Sequence, residues 1–271
     1  SNKGFSALSR NFHRFVKANL LTQAQREKAR PVHYNTWEGI YFTHDVDTLK
    51  ELADKVAPLG VERFVLDDGW FKGRHDDNAG LGDWTVDYDV YPDGLLPIIE
   101  HVNGLGMEFG LWFEPEMVNP DSDLYRAHPD WVLGSENNEQ LSFRNQFVLD
   151  LTRTEVIEYL YTAIHDILVE YPAIKYIKWD MNRDINHAGN FSGKPAVHQQ
   201  TLALYRLIDR IKAAHPGLEI ESCSSGGARV DHGVLGHTDR VWTSDSNDAL
   251  DRLEIQRGCS FFFPSSVLGA H

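Results

Sequence analysis

Carboxylates, a lysine and tryptophans stand directly after short apolar runs at several places along the chain. Asp67 and Asp68 follow one run. Lys178 and Asp180 lie at the end of another, and Asp245 follows a third. If these runs are parallel strands separated by helices, their carboxyl ends meet at one face, where βα barrels place their active sites. A random polar surface would not load successive strand ends in this way, so we expect these side chains to form one site.

Strand-end carboxylates on different strands, beside aromatic and hydroxyl-binding neighbours, predict cleavage of a glycosidic bond. That reaction uses one carboxylate as nucleophile or base and one carboxylic acid to protonate the leaving oxygen. Lys178 and Asp180 are two residues apart and share a strand face, and a lysine there keeps a carboxylate ionised. Asp180 is therefore the candidate nucleophile. Asp245 has no adjacent cation and is the candidate proton carrier, while the stereochemistry stays open because sequence spacing gives no distance.

The same residues have structural interpretations. An isolated aspartate at a strand end often caps the following helix, a role open to Asp245 and Asn247. Cys223 is predicted to be a small packed residue, because no neighbouring histidine or metal cluster would activate its thiol. A lone strand-end tryptophan more often belongs to the core, but several of them beside carboxylates favour a sugar-stacking cage, formed by Trp37, Trp70, Trp112 and Trp179.

The elements that must position this site alternate along the chain as a short apolar run, a polar cluster and a longer segment of helical period. This alternation predicts an α/β fold with a parallel sheet, of the TIM (β/α)8-barrel type. A helix from about Thr154 is predicted to begin with a capping box of Thr152 and Glu155, and another helix follows the sixth strand. The predicted strands are residues 33–37, 63–66, 108–113, 175–179, 218–222, 240–243 and 261–267.

The chain length bounds the architecture. The chain has 271 residues, which fits one barrel, since closed barrels of this kind run to about 250 residues and have eight strands. Seven strands are predicted, so we expect a barrel truncated after its seventh strand. We divide the chain into an N-terminal helical segment over residues 1–30, which packs on the barrel, and a catalytic barrel over residues 31–271.

Composition and charge exclude several classes of function. The chain has 40 acidic and 26 basic residues and a net charge of −14, which argues against nucleic acid and membrane surfaces as partners. Hydrophobic residues make up 42%, enough for a sizeable core, yet no apolar run approaches the roughly 20 residues of a membrane helix. We recognise no signal peptide, and the two cysteines, Cys223 and Cys259, predict free thiols in a reducing, cytoplasmic compartment.

Five segments of the sequence resemble, in order, the motifs of the α-galactosidases, or melibiases, of glycoside hydrolase family 36. The resemblance covers nearly the whole chain, from the first predicted helix to Pro264. The segments are DDGWF at 67–71, LWFEPEMV at 111–118, KWDMNR at 178–183, SCSSGG at 222–227 and WTSD at 242–245.

This resemblance implies a retaining, double-displacement mechanism on terminal α-galactosyl groups, without a metal or organic cofactor. Asp180 resembles the nucleophile that forms a galactosyl-enzyme, and Asp245 resembles the acid/base. Asp67 and Asp68 resemble the pair that binds the O4 and O6 hydroxyls of galactose, in substrates of the melibiose or raffinose type. The other implied substrate contacts are Trp37, Trp112, Arg144, Lys178, Asn182, Cys223 and Gly226, the last two beside the O2 hydroxyl.

A barrel that stops after its seventh strand has unpaired backbone at both edges of its sheet. We expect a second copy of the chain to cover these edges in a symmetric homo-oligomer, or the N-terminal helix and loops to do so partly. Family members usually carry further β domains around the barrel. A galactose-binding or weakly active barrel fragment is therefore the alternative to a fully competent hydrolase.

Two further alternatives concern the chemistry. A metal-dependent hydrolase would need a cluster of ligands, to which the segment of His44, Asp45 and Asp47 comes nearest. A helix N-terminus, where the helix dipole favours acidic side chains, explains that segment better. Transglycosylation, or an N-acetylgalactosaminyl substrate, is not separated from α-galactoside hydrolysis by the sequence.

Overall fold

A parallel sheet of seven strands forms the centre of the molecule. The computed structural model describes residues 3–134, 139–190 and 192–269. The strands are β1 (His33–Asn35), β2 (Arg63–Leu66), β3 (Glu108–Phe113), β4 (Met117–Val118), β5 (Phe147–Val148), β6 (Ile174–Trp179), β7 (Glu219–Ser222), β8 (Arg240–Trp242) and β9 (Leu268–Gly269).

The order of strands in the large sheet is β1-β2-β3-β6-β7-β8-β9, and every neighbouring pair is parallel. Within the described ranges, no ladder of hydrogen bonds joins β1 to β9. This architecture confirms the prediction of a TIM-type barrel that is incomplete after its seventh strand. Strands β4 and β5, which the sequence did not predict, form a separate antiparallel pair beyond the end of β3.

Helices connect the strands of the sheet. Of the residues described, none belongs to a helix that combines the length and apolar character needed to cross a membrane. The helices are α1 (Phe5–Asn19), α2 (Gln23–Glu27), α3 (Trp37–Ile40), α4 (Val46–Val56), α5 (Leu96–Gly104), α6 (Asp123–Ala127), α7 (Thr154–Glu170), α8 (Val197–Ala214) and α9 (Ala249–Cys259).

The core lies between the sheet and the helices that follow its strands. All four residues of β2 are buried, as expected for a parallel strand covered on both faces. Each covering helix buries one apolar stripe at helical spacing, as Leu49, Ala53 and Val56 do in α4. The same pattern in α8 buries Leu204, Leu207, Ile208 and Ile211.

The first strand is shorter than predicted and does not include Trp37. Its last residue is Asn35, whose side-chain oxygen accepts a hydrogen bond at 2.8 Å from the backbone N–H of Trp37. Such a bond to the residue two positions ahead turns the backbone away from the sheet. Trp37 is consequently the first residue of α3 rather than the end of β1.

The seventh strand was predicted at the wrong position. Residues 261–263 form a turn, in which the ring of Phe261 lies 5.0 Å from Phe5 and the ring of Phe262 lies 5.4 Å from Phe12. These aromatic residues pack on α1 instead of forming a strand. A 3₁₀ turn over Ser265–Val267 follows Pro264, and pairing with β8 begins only at Leu268.

Two helix starts also differ from prediction. Thr152 does not cap α7, because its hydroxyl donates to the side chain of Asp150, and Arg153 occupies the cap position, where its side chain does not cap the backbone N–H groups of the helix. The predicted helix after the sixth strand is confirmed as α9, but its cap is Asp248, which accepts bonds from the N–H groups of Leu250 and Asp251. The capping role considered for Asp245 and Asn247 is therefore wrong.

The N-terminal segment contacts the end of the chain that carries β8 and β9. Val16 of α1 is buried in a cluster with Val241 and Val267. A ring nitrogen of His13 lies 2.7 Å from the carbonyl oxygen of Ser260. The guanidinium of Arg30 donates to the carbonyl oxygens of Ser266 and Asp239, at 2.5 Å and 2.9 Å. These contacts place α1 beside one edge of the sheet.

Candidate active site

The carboxyl ends of β1, β2, β3, β6 and β8 open onto one cavity of about 450 Å³. Nine of the residues proposed from the sequence line it, namely Trp37, Asp67, Asp68, Trp112, Arg144, Lys178, Asp180, Asn182 and Asp245. The other lining residues are His33, Tyr34, Asn35, Glu38, Phe42, Arg74, Asp77, Trp242 and Asn247.

Asp180 is the first residue after β6, and its carboxylate is held from three directions. Its backbone N–H donates to the carbonyl oxygen of Phe113 at 2.8 Å, which ties the end of β6 to β3. The side-chain Oδ2 accepts bonds from Nε1 of Trp112 at 3.2 Å and Nδ2 of Asn182 at 2.7 Å, while Oδ1 accepts one from the N–H of Met181 at 2.9 Å. These donors fix the orientation of the carboxylate toward the cavity.

The carboxylates of Asp67 and Asp68 are adjacent in sequence, and each has its own cation. Nζ of Lys178 donates to Oδ2 of Asp67 at 2.9 Å, and Nδ2 of Asn35 donates to the same oxygen at 2.5 Å. Arg74 binds both oxygens of Asp68. Burial raises the pKa of Asp68 above its usual range, and the guanidinium of Arg74 opposes that shift.

Lys178 pairs with Asp67 and not with Asp180, contrary to the expectation from their spacing. The side chain of Lys178 reaches across to the end of β2 instead of along its own strand. Burial by itself lowers the pKa of Lys178, but the carboxylate of Asp67 and, more weakly, that of Asp180 raise it above its ordinary value. The ammonium group therefore stays charged within the cavity.

Asp245 lies in the loop after β8 and is exposed, whereas Asp67, Asp68 and Asp180 are buried. Nε1 of Trp242 donates to its Oδ1 at 2.8 Å. Partial burial raises the pKa of Asp245, and the negative charges of Asp180 and Asp67 add to that shift, while the Trp242 bond and Lys178 oppose it. A carboxyl group in these surroundings is suited to carry a proton.

Cys223 and Gly226 are not among the residues that line the cavity, and they lie beside Asp180 and against the backbone of Ser244 and Asp245, respectively. Cys223 is buried beside Asp180, and burial together with that charge raises the pKa of its thiol. Gly226 has a φ of 81°, and a Cβ atom there would lie 2.7 Å from Cα of Ser244 and 2.8 Å from the backbone nitrogen of Asp245. A glycine is therefore required for the loop after β7 to pass under the Asp245 loop.

The predicted cage of tryptophans is only partly present. Trp37 and Trp112 line the cavity, whereas Trp70 and Trp179 are completely buried behind it. Nε1 of Trp70 donates to the carbonyl oxygen of Trp112 at 2.8 Å, so Trp70 supports the cavity wall from the core. Trp242, which was not proposed as a site residue, supplies a third indole to the cavity.

Sequence reasoning also missed Asn35, Arg74 and Glu114. Arg74 lies within the long loop between β2 and α5 and not directly at a strand end. It reaches the site because its guanidinium bonds to Asp68, to Oδ1 of Asn119 and to the carbonyl of Ala79. No pattern in the sequence indicates that the loop folds back so that Arg74 contacts Asp68. Glu114 stands in a strand-end motif, but its contacts below Asp180 depend on the tertiary structure.

The segment of His44 and Asp45 has the structural role that the sequence favoured. Asp45 is the N-cap of α4 and accepts a bond from the N–H of Thr48 at 2.8 Å. A ring nitrogen of His44 lies 2.6 Å from the hydroxyl of Tyr91, and burial lowers the pKa of His44 to about 4. Over the described part of the chain, no group of three or more potential ligand side chains is placed to hold a metal ion.

Comparisons with known proteins agree with this geometry. The melibiase family model matches residues 1–271. An α-galactosidase of Escherichia coli is 51% identical over 271 residues, which is 100% of this chain and 38% of that protein. α-Galactosidase AgaA of Geobacillus stearothermophilus is 43% identical over 276 residues, again 100% of this chain and 38% of the relative.

Solved structures show the same relationship. The GH36 α-galactosidase AgaA of Geobacillus stearothermophilus superposes with a TM-score of 0.94 at 43% identity, over 99% of this chain and 38% of that one. An AgaA variant solved in complex with raffinose gives a TM-score of 0.94 at 42% identity, over the same shares of the two chains. The chain thus spans about 38% of the length of these relatives. It belongs to the melibiase family, glycoside hydrolase family 36.

Proposed function

We propose that this chain is the catalytic part of a retaining α-galactosidase that releases terminal α-galactosyl groups by double displacement. The observation that carries the proposal is the contrast between two carboxylates on one cavity. Asp180 is buried and held by three donors, whereas Asp245 is more exposed, accepts one bond and has a raised pKa. Double displacement requires such a difference between nucleophile and acid/base.

In the first step, the carboxylate of Asp180 attacks the anomeric carbon of the galactosyl group. Asp245 gives its proton to the glycosidic oxygen as the bond to the leaving group breaks. The products are a galactosyl ester on Asp180 and a free aglycone. Trp112 and Asn182 hold the attacking carboxylate in one orientation. Less entropy is then lost on reaching the transition state, which lowers the activation free energy.

In the second step, Asp245 is a carboxylate and acts as a base. It takes a proton from a water molecule while the water oxygen attacks the anomeric carbon, and Asp180 leaves as a carboxylate. Two inversions give α-galactose, and Asp245 regains its proton. The change of role suits Asp245 because its loop reaches solvent.

Recognition of galactose is assigned to Asp67 and Asp68. A buried carboxylate paired with a cation accepts strong hydrogen bonds from sugar hydroxyls. An epimer that places a hydroxyl elsewhere would leave these acceptors unpaired, a stronger filter than apolar shape. We assign raffinose-type oligosaccharides as substrates, because related structures are described in complex with raffinose and stachyose.

The test is hydrolysis of an aryl α-galactoside followed by NMR of the first-formed sugar anomer. We expect α-galactose first, and near-complete loss of turnover in Asp180→Asn. Asp184→Asn is the matched control, because Asp184 is exposed four residues further along the same segment. A β-anomer as first product, an active Asp180→Asn variant, or galactose binding without turnover by the wild type would refute the proposal.

We also propose that the chain assembles as a homo-oligomer. Strands β1 and β9 each pair on one side within the described residues, and such edges attract further strands or covering elements. Light scattering of the purified chain tests this, and a strictly monomeric particle would contradict it.

Two lesser assignments remain proposals. Both cysteines are free thiols in the structure, which suits a reducing compartment such as the cytoplasm. The chain is divided into an N-terminal helical segment, residues 1–30, and a catalytic barrel, residues 31–271, because α1 and α2 both precede β1. Deletion of residues 1–30 should leave a barrel that is destabilised, because Val16 and Arg30 contact the region of β8 and β9.

A further inference from the structure

Glu114, the first residue after β3, is a completely buried carboxyl group with no part in either step of the proposed double displacement. Its side chain has 0% of its surface exposed. Oε1 accepts a hydrogen bond from the backbone N–H of Asn182, and Oε2 accepts one from Nε2 of Gln146 at 3.2 Å. Glu114 therefore connects the end of β3 with the loop that follows β6.

The bond to Asn182 leads directly to Asp180. The side chain of Asn182 donates from Nδ2 to Oδ2 of Asp180 at 2.7 Å, and its Oδ1 accepts a bond from the hydroxyl of Ser225 at 3.2 Å. Glu114 holds the backbone of the residue whose side chain holds the nucleophile. A small displacement of Asn182 would change the direction of the Asp180 carboxylate.

The charges around Glu114 favour its neutral form. The carboxylates of Asp180 and Asp68 disfavour a negative charge on Glu114, and the guanidinium of Arg74 favours it. Arg74 already binds both oxygens of Asp68. Burial first, and then repulsion by Asp180, raise the pKa of Glu114 to about 8, against the opposing effects of Asn182 and Arg74.

We propose that Glu114 is a positioning residue that works in its protonated form, holding Asn182 and through it Asp180 without adding a second negative charge beside the nucleophile. The proposal rests on the proposed function for its kinetic consequences, but not for the protonation itself. A neutral carboxylic acid still accepts the Asn182 bond at Oε1. Its proton then lies on Oε2 and is donated to the side-chain oxygen of Gln146, a buried acceptor otherwise without a partner among the described residues, with the Gln146 amide turned so that its oxygen faces Glu114. An ionised Glu114 would repel the Asp180 carboxylate across a buried site, where such repulsion is strong.

Glu116 provides a matched control on the same segment. It is also buried, but it accepts bonds from Nη1 of Arg229 at 2.6 Å and Nε1 of Trp179 at 3.0 Å. Its charge is therefore compensated by a direct ion pair with Arg229. Replacing Glu116 by glutamine removes a buried acid from the same loop without touching the Asn182–Asp180 connection.

Protonation is tested by infrared difference spectroscopy, which needs no turnover. Subtracting the Glu114→Gln spectrum from the wild-type spectrum at neutral pH should show the carbonyl band of a protonated carboxylic acid. The band should vanish as the pH rises through about 8. The subtraction with Glu116→Gln should show no such band. A wild-type spectrum without a band assignable to Glu114 would overturn the proposal, whether or not the chain is an α-galactosidase.

Positioning is tested by kinetics on an aryl α-galactoside. Glu114→Gln keeps a neutral acceptor for Asn182 and should retain most of the wild-type kcat. Glu114→Ala should lower kcat by about 100-fold with little change in KM, because misplacing a reacting group by about 1 Å costs that much. In an Asn182→Ala background the same change should cost little more, since the connection is already lost.

Either of two results would overturn the positioning role. Glu114→Gln could lose as much activity as Glu114→Ala, which would mean that the negative charge is needed. The losses of Glu114→Ala and Asn182→Ala could multiply, which would mean that the residues act independently. If Glu114→Ala does not fold, the infrared result and the Glu114→Gln rate still decide the proposal. Absent turnover in the folded wild type would refute the α-galactosidase assignment instead.

Discussion

Arg74 binds both carboxylate oxygens of Asp68, through Nε at 2.9 Å and through Nη2 at 2.8 Å. Both side chains are buried, and the pair lies beside the second ion pair of Lys178 and Asp67. The bidentate geometry gives Asp68 one orientation at the sugar cavity. Arg74 is thus part of the site although no motif of the sequence contains it.

The Arg74–Asp68 pair predicts that Arg74→Lys is not a conservative change. A lysine ammonium offers a point charge in place of the two-pronged guanidinium, so one oxygen of Asp68 would lose its partner. We expect kcat/KM for an aryl α-galactoside to fall by about tenfold or more. Arg126→Lys is the control, because Arg126 also binds aspartates, Asp121 and Asp123, but is exposed. Equal rates for Arg74→Lys and wild type would contradict the role of the bidentate pair.

The Lys178–Asp67 pair predicts a strong coupling in stability. Lys178→Met leaves the buried carboxylate of Asp67 without its cation, which should lower the free energy of unfolding by about 3 kcal/mol. Adding Asp67→Asn should recover part of that loss, because no buried charge then remains unpaired. Urea unfolding measures both variants. Lys175→Met, at an exposed position of the same strand, should change little, and simple additivity of the two site variants would argue against the pair.

We expect a side chain at position 226 to lower the rate of catalysis, because it would displace the backbone of the Asp245 loop. An alanine Cβ would lie 2.7 Å from Cα of Ser244, so the Asp245 loop must move. We expect Gly226→Ala to lower kcat by about tenfold or more, since the acid/base is displaced. Gly193→Ala is the control, with a similar φ of 72° but nothing within 4 Å of the added carbon. Both variants should lose about 1 kcal/mol to backbone strain, and only Gly226→Ala should lose activity.

We expect the buried ring of His44 to make the folded chain less stable in mild acid. Its pKa is about 4 in the folded chain, against 6.5 for an unperturbed histidine, because burial disfavours the charged ring. The unfolded chain therefore binds more protons between these two pH values. The free energy of unfolding should fall as the pH drops from about 6.5 to about 4, by about 3 kcal/mol from this residue alone.

Chemical unfolding at several pH values tests this contribution. His44→Gln, which cannot ionise, should show a weaker dependence on pH across the same interval. His198→Gln, at an exposed position, should follow the wild type. A wild-type curve that does not change between the two pH values would show that His44 stays partly hydrated in the folded chain.

Most strand positions were predicted from the sequence, because a short, continuous apolar run between polar clusters is typical of a buried parallel strand. The apolar run of β2 and the run of β3 lie where they were predicted. Phe261 and Phe262 do not form a strand, because their rings pack against Phe5 and Phe12 of α1. Apolar periodicity indicates that a segment is buried, but it does not indicate which element of the fold the segment packs against.

For the site, too, some features could be predicted from the sequence and others depend on the tertiary structure. Local sequence determined that Asp67, Asp68, Asp180 and their neighbours stand at strand ends, because parallel strands bring those ends to one face. Only the tertiary structure decided the partners: Lys178 with Asp67, Arg74 with Asp68, and Glu114 beneath Asn182. These contacts join residues of different strands and loops, and the direction of each long side chain depends on charges that the fold brings near it.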